Sequence, residues 1–147
     1  MTVAVQIESA GNASLFGDQR FYNLLFAAAR ELGLSKKQAG DAASIGALSV
    51  DGVHITVSSL ETDVKKDIIV VAKLVLPIDP ASIRQLLEIN LIATIALHST
   101  IAIDCDGCAI LLSLLPVATC TATALSSQIS QMALFAHTLE YQITCSL

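Results

Sequence analysis

The spacing of apolar residues along the chain predicts three helices, beginning with one near the amino terminus. Its apolar stripe follows the interval of an amphipathic helix and consists of Phe21, Leu24, Leu25, Ala28 and Leu32. Asp18 is the predicted cap and Gly33 the predicted stop of this helix. Residues 35–46 are mostly polar, and we predict that they form a connection without regular structure.

Extended segments are predicted after this connection. Val53, Ile55 and Val57 alternate with polar residues, which is the pattern of a half-buried strand. Asp51-Gly52 predicts a tight turn just before this strand. If a strand precedes the turn, it is short and covers residues 48–50. Residues 61–67 are charged and predict a loop, and residues 68–76 form a β-branched strand with apolar side chains on both faces.

The second helix has the clearest start, because Asp79 occupies the cap position and Pro80 the first helical position. Its predicted face comprises Ile83, Leu86, Leu87, Asn90 and Leu91. Two strands follow at residues 100–105 and 108–115, joined by a turn at Asp106-Gly107. The last helix is predicted to begin near Thr123, with an apolar stripe of Leu125, Ile129, Met132, Ala136, Leu139 and Ile143.

The order of these elements predicts an α+β fold. Hairpins with short turns give an antiparallel sheet, on which the helices pack in the order α-β-β-(β)-α-β-β-α. Residues 1–17 show no sustained period and are predicted to be a flexible arm, which leaves residues 18–147 as a single domain.

Composition adds that this domain has more apolar residues than its interior can hold. Residues of the apolar types make up 54% of the chain and charged residues only 14%. A surplus on this scale indicates a surface that contacts protein or membrane. A formal net charge of −5 argues against nucleic acid as a partner, because phosphate binding requires clustered cations.

Two uncharged runs raise the question of a membrane. The run at residues 108–139 is interrupted by Pro116 and diluted by hydroxyl and amide side chains, and the run at residues 89–103 is too short to span a bilayer. No cationic leader precedes an apolar stretch at the start. We therefore expect a cytoplasmic protein without membrane insertion, and its four cysteines to be reduced. A small structural or membrane-associated protein is the alternative.

The residues that could carry chemistry do not form a recognisable site. Cys105 and Cys108 form a CxxC, but zinc needs two more ligands at matching spacing, and this pair flanks a hairpin turn. Asp104 and Asp106 are typical turn residues, and the three histidines are scattered. We therefore predict neither an enzyme nor a metal or cofactor site.

Asn90 is polar on an otherwise apolar helix face, which leaves two interpretations open. Its side chain either bonds to nearby backbone or fixes the register of a helix–helix contact.

Four stretches of the chain together resemble a known family. They are FYNLL at residues 21–25 with LGL at 32–34, the strand after Asp51-Gly52, LLEINL at residues 86–91, and the closing strand pair with its helix. In this order and spacing, over residues 18–143, they resemble the Tir-chaperone group of bacterial type III secretion chaperones. The LLxxN element is the most telling of the four.

The resemblance implies a homodimer without a cofactor that binds the non-globular segment near the N-terminus of a secreted effector. A client strand can add to a sheet edge while its side chains fill apolar grooves. The residues expected at the dimer interface are Leu86, Leu87, Asn90, Leu91, Ile101, Ile103, Leu112 and Leu114. Those expected to contact the client are Phe21, Leu25, Val53, Ile55, Val57, Ile69 and Val71.

Overall fold

The computed structural model describes residues 19–76 and 79–146, with side chains as far as Gln142. The predicted arm, Asp18 and the side chains of Ile143 and Cys145 lie outside this part of the chain. The helices are α1 (Gln19–Glu31), α2 (Lys36–Ile45), α3 (Pro80–Leu97) and α4 (Ala122–Ser146). The strands are β1 (Ala47–Val50), β2 (Val53–Glu61), β3 (Lys66–Lys73), β4 (Ser99–Ile103) and β5 (Ala109–Pro116).

Helix α2 corrects the prediction of a polar connection at residues 35–46. A capping box starts it: the Ser35 hydroxyl accepts from the Gln38 backbone, and the Gln38 side chain accepts from the Ser35 backbone. Gly46 ends the helix in the left-handed conformation, with φ of 78°. The buried face is made of alanines, so the segment lacks the large apolar residues that mark an amphipathic helix.

The five strands form one antiparallel sheet in the order β1-β2-β3-β5-β4, which confirms the predicted α+β class. The short strand allowed for at residues 48–50 is present as β1. It turns into β2 through Asp51 and Gly52, both with positive φ, as a tight hairpin requires. The predicted loop at residues 61–67 is shorter, because β2 and β3 stay paired as far as Glu61 and Lys66.

One face of the sheet packs against α1 and α4 and forms the core. All described members of the predicted stripe on α4 are buried there: Leu125, Ile129, Met132, Ala136 and Leu139. Between the helices, the Glu31 carboxylate accepts hydrogen bonds from the hydroxyls of Thr123 and Ser126. We call the opposite side of the sheet the outer face. Since side chains alternate along a strand, it carries Ile69, Val71, Leu112 and Leu114.

Candidate interaction surfaces

Helix α3 is placed by strong signals at both of its ends. The Asp79 carboxylate accepts from the Ser82 backbone at 2.9 Å, and the Ser82 hydroxyl accepts from the Asp79 backbone at 3.0 Å, as the predicted cap requires. At the other end His98 takes a left-handed conformation, with φ of 51°, and β4 begins at the next residue. With this one-residue connection, α3 folds directly back onto β4.

The side of α3 that faces away from the core carries large apolar side chains. Ile83, Leu87, Leu91 and Ile95 recur every four residues, and we call them the α3 ridge. Leu87 is 68% exposed and Leu91 67%. Residues four apart form the ridges through which helices commonly pack on one another. The ridge thus has the geometry of a helix-packing surface.

A narrow apolar groove of about 50 Å³ lies beside the ridge, between α3 and β4. It is lined by Ile83, Leu86, Leu87, Ile101, Ala102 and Ile103. Among the predicted dimer residues, Leu86 is buried in its floor, Asn90 and Ile101 are half-buried, and Leu87, Leu91 and Ile103 are exposed. The structure therefore gathers six of the eight predicted dimer residues on one side of the molecule.

Leu112 and Leu114 do not belong to this surface. Leu111 and Ser113 face the core, so Leu112 and Leu114 lie on the outer face. The four strand residues predicted for the dimer interface therefore divide between the two faces of the sheet, because Leu112 and Leu114 have the opposite parity to the β5 partners of Ile101 and Ile103. The prediction also left out Ile83 and Ile95, which the interval of four residues along α3 could have supplied.

Asn90 joins α3 to the edge of the sheet. Its Oδ1 atom accepts a 2.8 Å hydrogen bond from the backbone N–H of Ile101. The hairpin bond from Asp104 N–H to Cys108 C=O sets the phase of β4, so the N–H of Ile101 points away from β5. Of the two interpretations of Asn90, the structure shows the bond to nearby backbone.

A buried polar cluster fixes the junction of α3, β4 and β5 from the core side. The two N–H groups of the Gln128 side-chain amide on α4 are shared among three acceptors, the Leu97 carbonyl and the hydroxyls of Ser99 and Ser113. Ser113 in turn donates to the His98 carbonyl. The end of α3 is therefore hydrogen-bonded into the same unit as the two strands.

The residues predicted to contact a client lie mostly inside the molecule. Phe21, Leu25, Val53, Ile55 and Val57 are core residues, and none is more than 4% exposed. On the outer face Ile69 is also buried, and Val71 is half-buried. Six of the seven side chains are thus unavailable at the surface, because the stripe that marks an amphipathic element is the side that it buries.

The structure places a groove elsewhere, between α2 and β1, and its lining mixes apolar and polar side chains. It has a volume of about 280 Å³ and is lined by Leu34, Gln38, Asp41, Ala42, Ile45, Ala47, Leu48 and Ser49. Ile45 stands out at its border with 68% of its surface exposed. None of these residues is among the predicted client contacts, and the polar pattern of residues 35–46 predicts a connection where α2 lies.

The groove runs along the edge of the sheet at β1, which pairs only with β2 within residues 19–76 and 79–146. The backbone N–H of Val57 donates to the Gly46 carbonyl at 2.8 Å, which fixes the alternation of the β1–β2 ladder. In that alternation the backbone groups of Ala47 and Ser49 point away from β2, toward the side where the groove lies. The β1 edge therefore combines main-chain hydrogen-bonding groups with a recess that has both apolar and polar lining.

The residues considered for chemistry have structural roles in the described part of the chain. The Asp104 carboxylate accepts from the backbone of Asp106 and Cys108, which holds the hairpin turn. No group of three or more potential metal ligands occurs among the described residues. Partial burial raises the pKa of the Cys120 thiol, which disfavours the reactive thiolate.

Comparison with known proteins identifies the fold. No family model and no curated protein matches the chain. Solved structures do match, among them the type III secretion chaperone SycH of Yersinia pestis in complex with a fragment of YscM2. SycH superposes with a TM-score of 0.59 at 21% identity, covering 81% of this chain and 98% of that chain.

Two further solved complexes also superpose on this chain. The structure of the HopA1–SchA chaperone–effector complex gives a TM-score of 0.63 at 13% identity and covers 86% of this chain and 97% of that one. The ExsC–ExsE complex gives 0.64 at 17% identity, covering 83% and 92%. The chain therefore has the fold of the type III secretion chaperones.

Proposed function

We propose that this protein is a dedicated bacterial chaperone that binds the N-terminal, non-globular segment of a type III secreted effector and keeps it soluble and competent for export. The observation that carries the proposal is the fold, which spans nearly the whole length of chaperones crystallised with their partners. Its function is binding, without catalysis or a cofactor, and its place is the bacterial cytoplasm.

The β1 edge is the client site that the geometry favours. An extended client segment can pair with the outward backbone groups of Ala47 and Ser49 while its apolar side chains enter the groove beside Ile45. The client segment binds there in an extended conformation rather than as a folded domain. The outward main-chain groups of β1 can pair with an added strand, and the groove has room for single side chains. The half-buried Leu34 and the exposed Ile45 are the proposed apolar contacts, in place of the core residues predicted from sequence.

The α3 ridge is the proposed dimer seam. Two copies related by a two-fold axis bring the same apolar surface together from both sides, and ridges of residues four apart interdigitate at a steep crossing angle. Leu87 and Leu91 occupy the middle of the ridge, and Ile103 borders it from β4. Burying these side chains removes a continuous run of exposed apolar side chains from water.

The alternative, a structural or membrane-associated protein, gains no support from the structure. Within the described residues, no helix has both the length and the apolar character that crossing a bilayer requires.

The direct test is co-expression with affinity-tagged N-terminal segments of the type III effectors of the same bacterium. We expect a stable complex in which one such segment stays soluble only when this chain is present. Segments that are all equally soluble alone, and none of which retains the chain on the affinity resin, would show that the proposed function is wrong.

A further inference from the structure

The two edges of the sheet differ in how their backbone groups are used. At β1, the outward groups of Ala47 and Ser49 face an open groove. At β4, helix α3 lies against the strand and the side chain of Asn90 takes up the outward N–H of Ile101. Ile101 is the central residue of β4, so the bond occupies the point where an added strand would have to pair.

We propose that Asn90 acts as an edge guard, which prevents strand addition at β4 and so directs a partner strand to the β1 edge. Free strand edges pair readily with other chains, and proteins protect them by covering or blocking them. The proposal rests on the proposed function for the identity of the partner strand at β1. The guarding of β4 can be tested without any client.

The position of Asn90 suits this role better than that of a brace for the helix alone. The helix is already tied to β4 by the one-residue connection at His98 and by the Gln128 cluster. Asn90 adds a bond in the middle of the strand, to an N–H that β5 does not use. An apolar residue there would preserve the apolar contact of the helix with β4 but would leave the N–H of Ile101 without its acceptor.

The first measurement is the hydrogen exchange of the Ile101 amide, followed by NMR in the full chain. Asn90→Leu and the smaller change Asn90→Ala are expected to raise its exchange rate about tenfold, the factor that corresponds to one hydrogen bond of ordinary net strength. Asn90→Asp keeps an acceptor oxygen and is expected to stay near the parental rate. Exchange that is unchanged in both apolar variants would overturn the proposal.

The second measurement is self-association, followed by sedimentation velocity. With β4 unguarded, Asn90→Leu and Asn90→Ala are expected to form species larger than those of the parent protein. Adding Ile101→Pro should abolish them, because proline has no N–H to offer an incoming strand and the outward position takes no bond from β5. Ile101→Pro alone is measured beside it, so that any effect of the proline on the parental assembly is taken into account.

The outcomes separate a guard from a structural brace. If exchange becomes faster but no larger species form, or if Ile101→Pro does not remove them, Asn90 only braces the helix and the proposal fails. Neither result bears on client binding at β1, which the co-expression experiment tests independently.

Discussion

Ser99 and Ser113 lie opposite each other on β4 and β5, both only 1% exposed, and the amide of Gln128 donates a hydrogen bond to each hydroxyl. Two polar side chains therefore face the core at the place where helix α3 ends. They are tolerated there because α4 brings a donor to them. The same amide nitrogen reaches the Leu97 carbonyl, so a single side chain on α4 organises the base of the proposed dimer seam.

Replacing Gln128 should therefore destabilise the fold. We expect Gln128→Leu to lower the free energy of unfolding by about 2 kcal/mol, because the buried hydroxyls of Ser99 and Ser113 lose the donor that they share. Urea denaturation measures this change. Gln131→Leu, at an exposed position on the same helix, is the control and should stay within about 0.5 kcal/mol of the parent. Equal effects of the two changes would contradict the structural role of the cluster.

The α3 ridge predicts how the protein assembles. We expect the parent to have twice the chain mass of 15.4 kDa, and Leu87→Asp with Leu91→Asp to yield monomers. Each charge placed at the centre of such a seam should raise the dissociation constant about 30-fold or more, as the loss of a central interface residue does. Light scattering coupled to size exclusion gives the masses.

A matched control for the ridge is Leu134→Asp on α4, where the leucine is equally exposed, at 68%. This change should leave the dimer intact. A parent protein that is monomeric at micromolar concentration, or a control that dissociates as readily as the ridge variant, would speak against α3 as the seam.

The groove beside β1 predicts a loss of client binding without a loss of fold. Ile45→Asp places a charge at the border of the groove and should weaken binding of the effector segment by about tenfold, because apolar client side chains would meet an unpaired carboxylate. Isothermal titration with the purified segment measures the affinity. Val64→Asp, in the loop between β2 and β3 and 92% exposed, should bind as the parent does. A reversed order of the two affinities would place the client elsewhere.

The cysteines should differ in their reactivity toward alkylating reagents. Cys105 is exposed, whereas Cys120 is half-buried and its raised pKa leaves less thiolate at neutral pH. We expect iodoacetamide to label Cys105 before Cys120. Because the pKa of Cys120 is raised, its labelling rate should go on increasing at pH values above the ordinary pKa of a thiol. Mass spectrometry of timed digests gives both rates. Faster labelling of Cys120 at pH 7 would contradict its partial burial.

The sequence alone predicts local structure correctly wherever a few neighbouring residues determine it. The sequence correctly predicts the start of α3 at Asp79-Pro80, the turns at Asp51-Gly52 and Asp106-Gly107, and the buried stripe of α4. Caps, turns and helical periodicity all depend on short-range geometry. Even α2, which was missed, has its signal in Ser35 and Gln38, three residues apart as a capping box requires. Its buried face consists of alanines, so the segment lacks the alternation of large apolar and polar residues by which an amphipathic helix is recognised.

Tertiary structure alone decided which apolar residues remain exposed. Sequence periodicity finds the side of an element that is apolar, but both sides of α3 are apolar, and only its packing against β4 turns Leu86 inward and leaves Leu87 and Leu91 outside. Likewise, the alternation in β2 marked Val53, Ile55 and Val57 correctly as one face, and the structure assigned that face to the core. The pairing of Asn90 with Ile101 and the groove beside β1 depend on strand order and register. Those are set by contacts between residues far apart in the chain, which no local pattern of residues records.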